Sequence, residues 1–429
     1  MGWNNVWGYF EKARSSLMAV THNSHFGFET ESLAEEVVHS TGSPAIDTSA
    51  PSHSGTGSLK LNGAATAPTA AFSPFDGGQD SVGTDQVVGF WFRTNDITPT
   101  NDVDILLGES DSGIHIRLRF EASTGDLILV TAAGSEASRE TAPFTVDTWH
   151  FIELHWQQVD AGSADVEIDG NATSISEVST DFRSGGEVFD SSNNGWYRFQ
   201  GGTTTGENIF IDDCYCLSDA TGATGDFYGD FEVFAYQGGL FSAVPDLGLP
   251  TLNRSDNLEG SPTTNWDDAS ETPMSETNEA EYTGTPRAGA VIFDEVASGG
   301  FGPGPSGDSN VDGDSNIKGH KFIWRLKRGT GGGTTHYIGW GDSGDTTNVA
   351  NDTTITLGTG YANFTRDRPV SEGPTSSQSY AMGFGVSGAR EPTCAEMWAF
   401  IAHVPRVSFT ALSQVVLPNK NYHVGPFEI

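Results

Sequence analysis

The sequence predicts an all-β protein made of two sandwich-like units, and three observations predict it. Apolar and polar residues alternate over short runs such as HIRLRF and KFIWRLKR, the period of a strand with one wet and one dry face. Gly, Pro, Asn and Asp punctuate those runs, and 53 glycines suit many tight turns better than long helices. A chain of 429 residues is too long for one ordinary sandwich and suits two domains of roughly 150 to 200 residues each.

Along the chain, residues 1–24 come first. Trp3, Trp7, Phe10, Leu17 and Met18 recur at helical spacing, so this segment is expected to form an amphipathic helix that docks on its own domain or on a neighbouring subunit. Residues 25–225 read as the first β domain. Its strands are expected at 58–62, 86–94, 104–110, 113–122, 126–132, 149–159, 164–170 and 207–217. In HIRLRF, alternation puts His115, Arg117 and Arg119 on one face and Ile116, Leu118 and Phe120 on the other.

Residues 226–405 read as a second β domain, with strands at 290–296, 320–328, 335–342, 353–358, 379–387 and 397–404 and polar interruptions at 253–289 and 296–316. In KFIWRLKR, Phe322, Trp324 and Leu326 share a face opposite Lys321, Ile323, Arg325 and Lys327. Residues 406–429 form a C-terminal tail without sustained alternation.

Charge and cysteine usage narrow the function. Lys and Arg number 21 against 57 Asp and Glu, a formal net charge of -36, which opposes attraction to a nucleic-acid backbone. Cys214, Cys216 and Cys394 are too few to staple a secreted fold of this size. Cys214 and Cys216, two apart on an expected strand, read as buried thiols rather than a metal or redox pair. The N-terminus lacks a basic start followed by an apolar run and a small-residue cleavage site, so export as part of a larger particle is expected. No apolar run reaches the roughly 18 residues of a membrane span.

Three local patterns carry a resemblance. HFGFETESL at 25–33 with HSGTGSLKLNG at 53–63, QVVGFWFRT at 86–94, and TWHFIELHWQQV followed by ADVEIDGN together resemble the concanavalin A-like lectin superfamily in its laminin-G-like form. The likeness covers about 200 residues and implies a jelly-roll sandwich; it says little of function, because this scaffold hosts lectins, glycosidases and structural modules. Within the third pattern, Trp149 is expected to plug the end of the sandwich and Asp169-Gly170 to make a tight hairpin turn. The arrangement of the whole chain, with such a domain first and a second β region containing NWDDASETP, GHKFIWRLKR and EMWAFIAHV, resembles structural proteins of tailed phages. That likeness implies a virion component acting through contacts with other capsid or tail proteins, associated as a homo-oligomer, with a trimer as the plausible form.

Against this stand the residues that could carry chemistry. A glycoside hydrolase on this scaffold needs two convergent carboxylates. The nearest acidic strands, VEIDGN and FIDDCY, lack the third acid of the Glu-x-Asp-x-x-Glu pattern that the laminarinase-like branch carries, so the protein is not expected to be an enzyme. No Gly-x-Ser-x-Gly elbow stands between strand and helix. DSNVDGDS at 308–315 offers Asp308, Asn310, Asp312 and Asp314 as calcium ligands, but position 319 is Gly where a closing bidentate Glu belongs, so a solvated acidic loop is favoured. In FDSSNNGWYRF, Trp196 and Tyr197 beside a polar loop are candidates for stacking on a host glycan, with core packing as the commoner fate of such rings. The functional expectation is therefore a surface-displayed virion protein, and its rival a carbohydrate-binding adhesin.

Overall fold

The protein is described here by a computed structural model that covers residues 21–28, 33, 39–49, 52–55, 57–74, 85–186, 189–190, 195–219, 232–236, 280–281, 292–297, 317–328, 335–342, 353–360, 362–369, 380–387 and 392–403. The helix expected before residue 21, the 308–314 loop and the C-terminal tail lie outside the described residues.

The first unit contains β1 (Thr21–Phe26), β2 (His39–Thr41), β3 (Pro44–Asp47), β4 (Ser58–Asn62), β5 (Thr69–Phe72), β6 (Asp85–Thr94), β7 (Val103–Ser110), β8 (Gly113–Phe120), β9 (Leu127–Thr131), β10 (Glu136–Glu140), β11 (His150–Gln157), β12 (Gly162–Ile168), β13 (Asn171–Thr180), β14 (Trp196–Gln200) and β15 (Asn208–Asp219). They form two antiparallel sheets packed as a sandwich. One sheet runs β13-β12-β11-β6-β15-β4-β3, with β1 also paired to β15, and the other runs β10-β9-β8-β7-β14-β5-β2. β1 begins at Thr21, so residues 21–24 are strand rather than the end of a helix: they pair with Cys216, Leu217 and Ser218 along β15, and the ladder satisfies their backbone groups.

The core follows from alternation. Val88, Phe90 and Phe92 of β6 and Ile152, Leu154 and Trp156 of β11 point inward, where they meet Ile116, Leu118 and Phe120 of β8 and Tyr197 and Phe199 of β14. Cys214 and Cys216 join that core as thiols without a disulfide. The tryptophan that fills the interior is Trp156, fully buried, whereas Trp149 lies half-buried just ahead of β11 and meets the His53 ring edge-on at 6.2 Å. Trp149 therefore does not plug the sandwich, because the core face of this strand is set by Ile152, Leu154 and Trp156. The hairpin between β12 and β13 turns on Asp169 (φ 54°) and Gly170 (φ 67°), the two left-handed residues that a two-residue type I′ turn requires.

Two bulges redirect side chains. In β8 the partner of Gly108 is Ile116 and that of Glu109 is Ile114, so His115 is the extra residue. It is fully buried, 5.8 Å from the Phe189 ring, and does not share the wet face of Arg117 and Arg119. In β15 the register jumps between Asp212 and Tyr215, leaving Asp213 with φ 43°.

The second unit contains β16 (Glu232–Tyr236), β17 (Ala280–Glu281), β18 (Ile292–Ala297), β19 (Ile317–Arg328), β20 (Thr335–Asp342), β21 (Thr353–Ile355), β22 (Ala362–Pro369), β23 (Tyr380–Ser387) and β24 (Pro392–His403). These form a sheet β16-β24-β19-β22, with β17 added on β24, and a sheet β18-β23-β20-β21. The β19 face expected to be wet is buried at Ile323 and Lys321. The Lys321 Nζ donates to the His25 carbonyl at 3.1 Å and sits 3.7 Å from the Phe26 ring centroid, so β19 rests against β1.

Candidate functional site

The site grows from the short strand WYRFQ. Successive strand residues point to opposite faces, so Tyr197 and Phe199 enter the core while Trp196, Arg198 and Gln200 point outward. Tyr197 is fully buried, its hydroxyl accepts the Trp156 indole N–H at 3.1 Å, and burial pushes its pKa up. Tyr197 is thus a core residue and cannot stack on a sugar. Trp196 is half-buried on the outer face, where its Nε1–H donates to Glu109 Oε2 at 3.0 Å.

Glu109 stands directly opposite Trp196 in the β7–β14 register and also accepts from Arg198 Nη2 at 2.7 Å. One carboxylate therefore fixes both the indole and the guanidinium. Next along β7 on the same face comes Leu107, opposite Arg198 on β14 and opposite Arg117 on β8. It is 2% exposed.

Arg117 is weakly held. Its Nη1 reaches Asp104 Oδ2 only at 3.5 Å, because the same carboxylate already takes Arg119 Nε at 2.7 Å and Nη2 at 3.3 Å. That carboxylate hydrogen bond raises the Arg119 pKa. The Nε atoms of Arg117 and Arg198 are buried without a hydrogen-bond partner. At the far end of the sheet, Arg139 is spent on Glu136, Glu121 and Asp126.

The acids weighed for hydrolysis are engaged elsewhere. Asp169 accepts from Phe151 N at 2.9 Å and bonds His150 Nδ1 at 2.8 Å; burial alone would raise its pKa, but these hydrogen bonds and the imidazole outweigh it and hold the carboxyl below its ordinary value. Asp212 and Asp213 are both fully buried. Asp212 accepts the His53 backbone N–H at 2.7 Å. Asp213 accepts from Ser54 Oγ at 2.8 Å and from Val233 N of β16 at 2.8 Å, and its other oxygen lies 2.7 Å from His53 Nδ1. His53 in turn stacks on Trp91 at 3.6 Å with 13° between the planes. Serine and histidine here converge on one carboxylate rather than on each other, so the group is a clasp between the first sandwich and β16 and not a nucleophile–base relay.

The calcium candidates Asp308, Asn310, Asp312 and Asp314 lie outside the described residues; among the described residues no group of three or more His, Cys, Asp or Glu could hold a metal ion. No described helix is long and apolar enough to cross a membrane.

Glu109, Arg198 and Leu107 escaped the sequence reading, which placed Arg117 on one strand face without giving it a role. Alternation within WYRF would have paired Arg198 with Trp196. Glu109, 87 residues from Trp196 in the chain, becomes its neighbour only through strand register.

No protein-family model matches the sequence, and no curated protein does. Among solved structures, the chain is similar to the conserved carbohydrate esterase of the Shiga toxin-encoding bacteriophage phi24B, at 12% identity over 47% of this chain and 99% of that one, with a TM-score of 0.35. A cellulose-induced protein aligns at 14% identity over 45% and 96%, with a TM-score of 0.32. The receptor-binding domain of botulinum neurotoxin type G aligns at 15% over 46% and 52%, with a TM-score of 0.28. Scores of this size carry neither a family nor an activity to the chain.

Proposed function

We propose that the protein is a non-catalytic component displayed on the surface of a tailed-virus particle, and that its first sandwich recognises host surface polysaccharide through the Trp196 face. The observation that carries the glycan part is the outward, half-buried Trp196 with its N–H anchored on Glu109. A sugar presents a C–H face that packs on an aromatic ring, and an indole already fixed by a hydrogen bond loses little freedom on binding. The strand order of the two sheets supports assigning this unit to the concanavalin A-like, laminin-G-like jelly rolls. The virion part is supported by the arrangement of two β units in one acidic chain, whose net charge of -36 keeps crowded copies soluble and apart. Copies assemble with capsid or tail neighbours and with one another, with a trimer as the expected form.

The test is a glycan array probed with the full chain and with Trp196→Ala, with and without chelator, beside mass spectrometry of intact particles. Trp196→Ala should weaken the strongest signal about tenfold, equivalent to about 1.4 kcal/mol, with an unchanged circular dichroism spectrum. Binding indifferent to Trp196, or absence of the chain from particles, refutes the corresponding half of the reading. Loss of binding on chelation would bring calcium into the site.

A further inference from the structure

We infer that the outer face of β7, β8 and β14 is built for an acidic polysaccharide, one whose sugars carry carboxylate groups, with Arg117 and Arg198 as its anion contacts. This rests on the glycan reading above and specifies the ligand's chemistry.

Charge is the first ground. In a chain with 57 acidic and 21 basic residues, these three strands present three arginines (Arg117, Arg119 and Arg198) against two carboxylates (Asp104 and Glu109) on the outer face. Asp102, just ahead of β7, stands 3.8 Å from Arg119 Nη1, so the face is close to balanced in charge where the whole chain carries -36.

Unspent hydrogen-bonding capacity is the second ground. Arg119 uses both arms of its fork on Asp104, which leaves Arg117 with one contact at 3.5 Å, and Arg198 has one bond, to Glu109. Each guanidinium carries five N–H donors in a planar fork that matches a carboxylate. The Nε of both arginines is buried, so the donors open to a ligand are those of the Nη groups, on side chains 21% and 27% exposed.

Spacing is the third. Arg117 and Arg198 flank Leu107 from opposite sides in register, so their backbones stand two strand spacings apart, about 10 Å. Trp196 lies two residues from Arg198 on the same strand face. An extended chain of sugars crossing the strands would place one ring against the indole and acid groups toward the two forks. Glu109 orients Trp196 and Arg198 and is a positioning residue.

The experiment measures binding of the full chain to polygalacturonate and alginate, to the same polymers after chemical reduction of their carboxyl groups, to dextran and to dextran sulfate. The expected result is binding to at least one carboxylated polymer about tenfold tighter than to its reduced form. Arg117→Gln, which gives up only a long contact and should fold normally, is expected to remove most of that difference, as is Arg198→Lys, which keeps charge but loses the fork. Equal affinity for native and reduced polymers, or Arg117 and Arg198 variants that bind like the parent, overturns the inference; if Trp196→Ala still weakens that binding, the glycan reading survives. Preference for dextran sulfate over every carboxylated polymer also overturns it in favour of a general anion site. Binding to none of the polymers counts against the glycan reading and this inference together.

Discussion

Removal of the Asp213 carboxylate tests the clasp between the first sandwich and β16. Its two buried donors, Ser54 Oγ–H and Val233 N–H, lose their shared acceptor in Asp213→Ala, whereas His53 is 16% exposed at its side chain and can turn to water. An unsatisfied buried donor costs about 1–3 kcal/mol; Val233 N–H bears that cost in full, while Ser54 Oγ–H keeps a long contact to the Val233 carbonyl at 3.4 Å and adds at most as much again. The backbone adds a separate contribution. Asp213 sits at φ 43°, where glycine is at ease and alanine is strained by about 1 kcal/mol, so Asp213→Gly should be less damaging than Asp213→Ala by about that amount. Asp213→Asn keeps one oxygen for Ser54 and Val233 and should cost least, because it preserves the acceptor those two donors share. The expected order of loss is thus Asn, then Gly, then Ala. Urea unfolding followed by both fluorescence and circular dichroism measures it, since two probes show whether the two units unfold together. An alanine variant within about 0.5 kcal/mol of the parent would refute the clasp, and one more stable than the glycine variant would refute the strain argument.

Two further predictions concern the sandwich itself. Burial holds the His115 imidazole below its ordinary pKa, opposed in part by the Phe182 carbonyl and Asp181, so below about pH 6.5 the unfolded chain binds a proton that the folded chain refuses. Stability present above the unfolded pKa should therefore fall with pH by at most about 1.4 kcal/mol per unit; His115→Gln should flatten that slope between pH 7 and pH 5 in denaturant titrations, and an identical slope in both proteins would exclude His115 as its source. Gly89→Ala should destabilise by about 1–3 kcal/mol, because the added carbon would collide with the ring of fully buried Tyr215, whereas Gly170→Ala meets no atom within 4 Å and should cost only the φ penalty of about 1 kcal/mol; calorimetry that ranks Gly170→Ala as the worse would contradict the packing at Gly89.

Where a strand alternates cleanly and lies inside a sheet, the sequence was legible. β4, β11 and β20 fall within about two residues of their expected limits, since apolar and aromatic residues are dense along them. β5 (TAAF), β10 (EASRE) and β13 (NATSISEVST) were not foreseen: they carry few large apolar residues, and what makes them strands is the partner that pairs with them. The site failed for a related reason. Trp196 and Tyr197 look like a pair in the sequence, but a strand sends them to opposite faces, one to Glu109 and the other to Trp156. His115 shows the limit of alternation itself, because a single extra residue in β8 moves an imidazole from the wet face to the interior. Lys321 shows another, since a basic residue on an apparently polar face can be buried when its charge lies over a ring and its protons find a carbonyl.

The net charge of -36 and an anion-binding face are compatible because they act over different distances. At physiological ionic strength the field of the whole chain is screened within about 8 Å, so an acidic polymer approaching the sandwich meets little long-range repulsion. At hydrogen-bond range the contacts are with individual forks, and there the arrangement of charge outweighs its sum. Asp104 is drawn into a two-armed grip on Arg119, and Glu109 holds Trp196 and Arg198 together. Each carboxylate is thereby committed to a donor of its own sheet, while the fork of Arg117 keeps only its long contact. The same pairing that makes this face structurally stable thus leaves it with donors rather than acceptors to offer, and an acidic sugar is the ligand that needs donors.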